Sequence, residues 1–137
     1  MDGRDFLEIG RQILASQPFS VWLDAELTGF GEGHAELSVP ITDRLKQQNG
    51  FVHGGVISYA ADNALTFAGG SVLGTSVLTL EFKINYLRPA VGEKLIARAK
   101  AVYAGRNQAT CRCDVFVSDG GEEKLVAIAQ GTIMKVN

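Results

Sequence analysis

The stretch that most constrains this chain runs from Gln47 to Gly70. It reads as a polar loop, a His53-Gly54-Gly55 turn, and then a helix that is apolar on nearly every side. Between Gly55 and Ala68 the apolar residues point in almost all directions of a helical period, which is the pattern of a buried helix and not of an amphipathic one. A bilayer span needs about 20 apolar residues, and this run is shorter. It therefore predicts the central helix of a water-soluble core. One carboxylate, Asp62, stands in its middle. An ionised carboxylate there is costly unless it is hydrogen-bonded or paired, and carboxylates held in clefts are candidates for chemistry. Taken alone the residue leaves two readings open, a structural bond to a neighbouring strand or a catalytic role.

The 137 residues suggest one domain, 1–137, with the first 18 residues as a helix packed on it. Hydrophobic residues make up 46% of the chain, enough for a real core. The net charge of -2 argues against a phosphate-binding surface over the whole domain, so nucleic acid is not an expected partner. The N-terminus has no basic region followed by an apolar one, and no segment is long enough to cross a membrane; a cytoplasmic location without a membrane partner is the expectation. Cys111 and Cys113 stand two apart in a strand-like run, an arrangement unsuited to a bond between them. Two Cys and two His with no ligand spacing predict no metal site.

In chain order, Asp5–Gln17 has helical spacing of Phe6, Ile9, Ile13 and Leu14, and Pro18 stops it. Phe19–Gly29 and Gly33–Val39 read as strands around a glycine-flanked turn. His34 falls on the polar parity of the second and reads as a solvated strand residue. Pro40–Val52 is a polar loop, and the buried helix after it ends at Gly69-Gly70. Four strand signals follow: Thr75–Leu87, with Leu78, Leu80, Phe82, Ile84 and Tyr86 on one parity; Lys94–Tyr103; Gln108–Ser118; and Lys124–Val136 after the turn Asp119-Gly120-Gly121. Short turns between long strands favour an antiparallel meander. Ala97, Ala99, Ala101, Ala127, Ala129 and Gly131 leave room for a helix to approach it. The economical way to bury one hydrophobic helix is an antiparallel sheet that curls around it, an α+β fold whose edges invite a second copy.

Gln47, Gly50, Val52, His53-Gly54-Gly55 and Asp62 fit the form Asn/Gln-x-x-Gly-x-x-His-Gly-Gly with an acidic residue nine positions after the His. Downstream stand Asn85-Tyr86-Leu87-Arg88-Pro89, Gly92 and Gly105-Arg106. From about Phe19 onward this pattern resembles the hotdog-fold acyl-CoA thioesterases of the phenylacetic acid degradation type. The resemblance implies a curved antiparallel sheet of about six strands wrapped around one long central helix. It implies hydrolysis of an acyl-CoA thioester to a carboxylic acid and free CoA, with no metal and no cofactor. It also implies a homodimer forming a homotetramer, with each active site at a dimer interface, Gln47 and Gly54 from one chain and Asp62 from its neighbour.

The residues suit that chemistry. Gly54 and Gly55 open the helix, where free backbone N–H groups and the positive dipole end converge. By resemblance the Gly54 amide polarises the thioester carbonyl, and Asp62 is general base or nucleophile. Gln47 matches the position that contacts the reacting group, with Asn49 as the nearby alternative. His53 is either a support for the helix start or a proton carrier. By resemblance Thr79 matches a position that helps hold the attacking water in some relatives and Thr66 a hydroxyl position used in others. Either is placed to bond Asp62, or Thr66 bonds its own helix backbone and Thr79 is only a strand residue. Phe51 and Tyr59 are candidates for lining the acyl pocket, Arg88 and Arg106 for the CoA phosphates. Two other functions fit the fold: a non-catalytic acyl-CoA binding or sensing domain, and a hotdog hydratase, whose acid–base arrangement is not found here.

Overall fold

The computed structural model describes residues 3–136; residues 1, 2 and 137, the ends of the expected domain, lie outside the described residues. Two helices, α1 (Gly3–Ala15) and α2 (Pro18–Trp22), precede strands β1 (Glu26–Gly31) and β2 (His34–Pro40). A single 3-10 turn at Asp43–Leu45 leads to the long helix α3 (Gly54–Leu73). Strands β3 (Val77–Tyr86), β4 (Lys94–Ala104), β5 (Gln108–Asp119) and β6 (Glu122–Lys135) complete the chain. The strands form one antiparallel sheet in the order β1-β2-β4-β5-β6-β3, curved around α3. This is the hotdog architecture.

The apolar helix is buried as its composition requires. Ala60, Ala61, Ala64, Leu65 and Ala68 are fully enclosed against Leu95, Ala97, Cys111, Val115, Ala127 and Ile133 of the sheet. Small side chains on both surfaces bring the two backbones close. At Gly69 the approach is closest, since a Cβ there would lie 2.5 Å from Ile133 Cβ. That contact is why residue 69 is a glycine, and the helix runs through Gly69-Gly70 without stopping there. It continues to Leu73, and Gly74, at φ 113°, ends it in a conformation that favours glycine. Gly131 makes room for a neighbouring strand and not for α3: a Cβ there would meet Glu81 O and Phe82 of β3 at 2.5 Å.

Three other expectations change. Phe19–Gly29 is not one strand. Pro18 sits in the first turn of α2, where its missing N–H has no helical partner to lose, and the strand begins only at Glu26. The alternation Phe19, Val21, Leu23 imitates a strand, but the helical turn buries Ser20 and Leu23 and leaves Phe19, Val21 and Trp22 exposed. The strands after α3 are not a simple meander either. β4, β5 and β6 are consecutive neighbours, whereas β3 pairs with β6 at the far edge. The 87–93 segment carries the chain across the end of the sheet, from Leu87 N–H on Val126 O (2.8 Å) to Glu93 O, which accepts Ile41 N–H (2.9 Å).

The third change matters most for function. A β-bulge between Thr79 and Glu81 breaks the parity of β3. Before it Val77 and Thr79 face inward, and after it Phe82 and Ile84 do. Leu78 and Leu80, expected inside, are 62% and 57% exposed on an edge strand. On β5 the expected face holds: Ala109, Cys111, Cys113, Val115 and Val117 are all buried. Burial pushes the Cys111 thiol up to about 11. Burial and the nearby Asp114 charge push the Cys113 thiol up to about 12. Both cysteines are free, and at neutral pH they pack as protonated, small apolar groups. His34 is exposed on β2, as its parity predicts.

Candidate active site

The start of α3 is built by its own loop. His53 occupies the N-cap position, and its Nδ1 accepts the Gly55 N–H at 2.8 Å. Its carbonyl accepts the Val56 N–H at 2.9 Å, and its own N–H donates to Leu45 O at 2.8 Å. One early helical amide is left over, because the Gly54 N–H has no acceptor among the described residues. The other side of the same residue is held. Tyr86 OH donates to Gly54 O at 3.1 Å and lies 2.5 Å from Ser58 Oγ. Gly54, Gln47, Phe51, Tyr86, Leu87 and Arg88 line one open cleft of about 410 Å³.

Gln47 shapes the loop that borders this cleft. Its N–H donates to Phe51 O at 2.8 Å, its carbonyl accepts the Gly50 N–H at 3.0 Å, and its Oε1 accepts the Asn49 N–H. The side-chain carbonyl is thereby used, while Nε2 has no acceptor among the described residues. Asn49 is exposed on the loop and enters these bonds through its backbone. Between the two, Gln47 is the residue that reaches the cleft.

Asp62 lies two turns further along α3, half-buried. Its Oδ1 accepts a 2.6 Å hydrogen bond from Thr79 Oγ1, the hydroxyl that the bulge turns inward. Thr66 Oγ1 bonds the Asp62 carbonyl at 2.8 Å and lies 2.8 Å from Thr79 Oγ1. Of the two hydroxyls expected near Asp62, Thr79 braces the carboxylate from β3, whereas Thr66 is spent on the backbone carbonyl of its own helix and does not bond the carboxylate. Oδ2 has no donor among the described residues, which leaves it able to take a proton or to attack a carbon. Eight residues of helix separate Gly54 from Asp62, a rise of about 12 Å. One chain therefore holds the amide and the carboxylate apart, too far to act on one atom.

The remaining expected residues divide. Phe51 and Arg88 lie at the helix-start cleft. The Gly55 amide is consumed by His53 and is not offered to the cleft. Arg106 is exposed in the β4–β5 turn. β6 residues Ala127 and Met134 pair with Tyr86 and Gln108 respectively, so the two arginines stand at opposite ends of the sheet, roughly 23 Å of strand apart. Tyr59 does not line the helix-start cleft. Its OH donates to Ser20 Oγ at 2.6 Å, its ring meets Phe19 edge-on, and with Gln17 and Asn63 it forms a polar clamp between α2 and α3. Sequence reasoning missed Tyr86 and Ser58 as site residues. Tyr86 stood in the downstream pattern, but nothing local ties it to Gly54 and Ser58 across the fold. Among the described residues no three His, Cys, Asp or Glu side chains converge as a metal site would require.

A family profile described as the thioesterase superfamily matches residues 49–124. Among solved structures, a thioesterase family protein from Silicibacter pomeroyi superposes with a TM-score of 0.88 at 35% identity, covering 93% of this chain and 95% of that one. A thioesterase of Haemophilus influenzae superposes with a TM-score of 0.83 at 31% identity, over 96% of this chain and 90% of that one. A variant of the phenylacetic acid degradation protein PaaI from Thermus thermophilus gives a TM-score of 0.77 at 27% identity, over 88% of this chain and 100% of that one.

Proposed function

The chain belongs to the thioesterase superfamily, and on that premise we propose that it hydrolyses acyl-CoA thioesters as a relative of the phenylacetic acid degradation type. The observation that carries the reading is the pairing of two unspent groups on one helix: a helix-start amide without an acceptor and a braced carboxylate with one free oxygen. The Gly54 N–H polarises the thioester carbonyl and receives the negative charge that develops on its oxygen. Gln47 Nε2 supplies a second donor to the reacting group. Asp62 Oδ2 takes a proton from water as the water oxygen bonds the carbonyl carbon, or attacks that carbon itself. By the first route the C–S bond then breaks and the CoA sulfur leaves with the proton that Asp62 took. By the second the break releases CoA thiolate and leaves an acyl anhydride on Asp62, which water hydrolyses to the acid and the free carboxylate, its released proton going to the thiolate. Thr79 keeps the carboxylate aimed through Oδ1. No metal or cofactor enters this scheme.

The separation along α3 supports a bipartite site: on this reading the working unit is a homodimer, with Gln47 and Gly54 from one chain and Asp62 from the other. The exposed Leu78 and Leu80 on edge strand β3 offer a surface for that second copy, and pairs of dimers form the tetramer. Arg88 beside the Gly54 cleft suits a CoA phosphate, with Arg106 contributing from the end of the partner's sheet. Among the described residues no helix is long and apolar enough to cross a membrane, and the cytoplasm, where acyl-CoA is found, is the proposed location.

The test is release of free thiol from acyl-CoA by the purified protein. Wild-type chain should release thiol, and Asp62→Asn should lose about 10²- to 10⁴-fold in kcat, the range of a lost acid–base group. Acyl-CoA binding with no thiol released by the wild type would convert the reading to a binding domain. Full activity in Asp62→Asn would remove the role given to Asp62.

A further inference from the structure

A second cleft lies between α1 and α3. It measures about 330 Å³, near the low end of ligand-sized cavities. α1 borders it without filling it, because its main packing partner is β1 and not α3. Gly10 makes that seat possible: a Cβ there would lie 2.4 Å from Leu27 Cδ2 and 2.6 Å from the Phe30 ring. Leu14 is buried on the same side. A second apolar face of α1, made of Phe6, Ile9 and Ile13, is left looking into the cleft, and Ile9 is 36% exposed. The floor is a chain of edge-on rings, Phe6 to Phe30 at 5.5 Å and Phe30 to Phe67 at 5.4 Å. Polar groups gather at one end, where Gln17, Asn63 and Thr66 line the cleft. Thr66 is the hydroxyl that lies 2.8 Å from Thr79, the residue bonded to Asp62. At the opposite end Ser71 is already committed, accepting the Gly33 N–H and donating to Ala68 O. The cleft is therefore polar at the Thr66 end, which leads through Thr79 toward Asp62, and apolar over its middle, with Ser71 and Thr75 at the far rim.

We propose that α1 is the wall of the acyl pocket and that Ile9 and Ile13 set which acyl groups this chain accepts. The occupant is an uncharged aliphatic or aromatic acyl group, seated with its carbonyl end toward Asp62 and Thr66 and its tail on the Phe30–Phe67 floor. A carboxylate-bearing acyl group would place a charge against that floor with no partner, and an acetyl group would leave most of the apolar lining wet. The inference rests on the thioesterase reading for its chemistry, but not for the pocket itself.

Thiol release is measured across acetyl-, hexanoyl-, octanoyl-, phenylacetyl- and succinyl-CoA. Ile13→Phe narrows the pocket and should lower the octanoyl-to-acetyl ratio of kcat/KM at least about ten-fold, the scale of a methylene-sized misfit. Ile9→Trp acts from the exposed rim, where folding tolerates bulk, and should shift the ratio the same way; Ile9→Ala should extend activity to longer chains. A ratio that none of the folded variants moves overturns the proposal. A second readout needs no turnover: octanoic acid titrated into the wild-type protein should shift the methyl NMR signals of Ile9 and Ile13. If those methyls stay unmoved, as they would with a second copy of the chain filling the cleft, the pocket assignment is wrong whatever the activity. If they shift while no thioester is hydrolysed, the pocket stands and the thioesterase reading falls.

Discussion

The two ends of the site half along α3 are built by opposite means. At its start, short-range bonds set the amides: His53 caps Gly55, Gln47 folds back on Asn49 and Phe51, and one amide is left over at Gly54, whose carbonyl alone is held from a distance, by Tyr86. Two turns later the carboxylate has no local support. Asp62 is held by Thr79, which follows a turn at the end of α3 and a strand start, and which faces inward because of the bulge before Glu81. The first region can be changed one residue at a time without disturbing the sheet. The second depends on the register of an edge strand. Electrophile and base are thus placed by independent devices about 12 Å apart, and the comparison predicts that each can be removed separately and then supplied by another copy.

The sharpest way to break the comparison is to delete the amide alone. Gly54 is the first helical residue, the position where proline is favoured. His53 before it has φ -59° and ψ 135°, which a following proline accepts. Gly54→Pro therefore removes an N–H that bonds nothing in the protein and should cost about 10²- to 10³-fold in kcat, the scale of one lost oxyanion donor. Gly54→Ala keeps the N–H, and its Cβ would meet the Tyr86 ring at 3.4 Å, an ordinary contact; it should retain most activity. Co-expressed Gly54→Pro and Asp62→Asn chains should then recover about a quarter of wild-type activity, since half of randomly paired dimers carry one intact site of two. No recovery from the mixture would mean that amide and carboxylate do not meet across two chains.

What could be read from the sequence follows the same division. The helix start, its glycines and Asp62 lie within one contiguous stretch, and their spacing along a helix is a local property. The core faces of β4 and β5 were legible for the same reason, because parity needs only neighbours. The place of β3 beside β6 was not, since it is decided by where the 87–93 segment crosses the sheet end. Nor was the bulge: Leu78, Leu80, Phe82 and Ile84 read as one apolar face until an extra residue divides them, which puts two leucines outside and Thr79 inside. α2 was hidden by a two-residue alternation too short to tell a strand from one turn of helix. Ser58 is one helical turn from Gly54, but Tyr86 is 28 positions further on, and only the folded sheet brings it to both.

The second region is tested through its brace. Thr79→Val keeps the shape and removes the 2.6 Å bond to Asp62 Oδ1. A hydrogen bond to a charged group is worth about 1.5–3 kcal/mol, so kcat should fall about 10- to 150-fold if the bond acts fully in the transition state. A loss in thermal stability with kcat unchanged would make Thr79 a packing residue and leave Asp62 to orient itself.

The smallest effect is expected at His53, and it decides what the first region is for. Nδ1 is occupied by the Gly55 N–H in the resting fold, so the ring serves the helix end before it can serve a substrate. His53→Ala should then behave as a lost cap, costing about 1 kcal/mol and lowering Tm by about 2–8 °C. The Gly54 amide remains in place, because Tyr86 still holds the Gly54 carbonyl at 3.1 Å. Calorimetry and kcat measured on the same preparation separate the roles. A small drop in both marks a cap. A fall in kcat of about 100-fold or more, the size of a lost proton carrier, with Tm little changed, would give His53 the proton and return Asp62 to a supporting place.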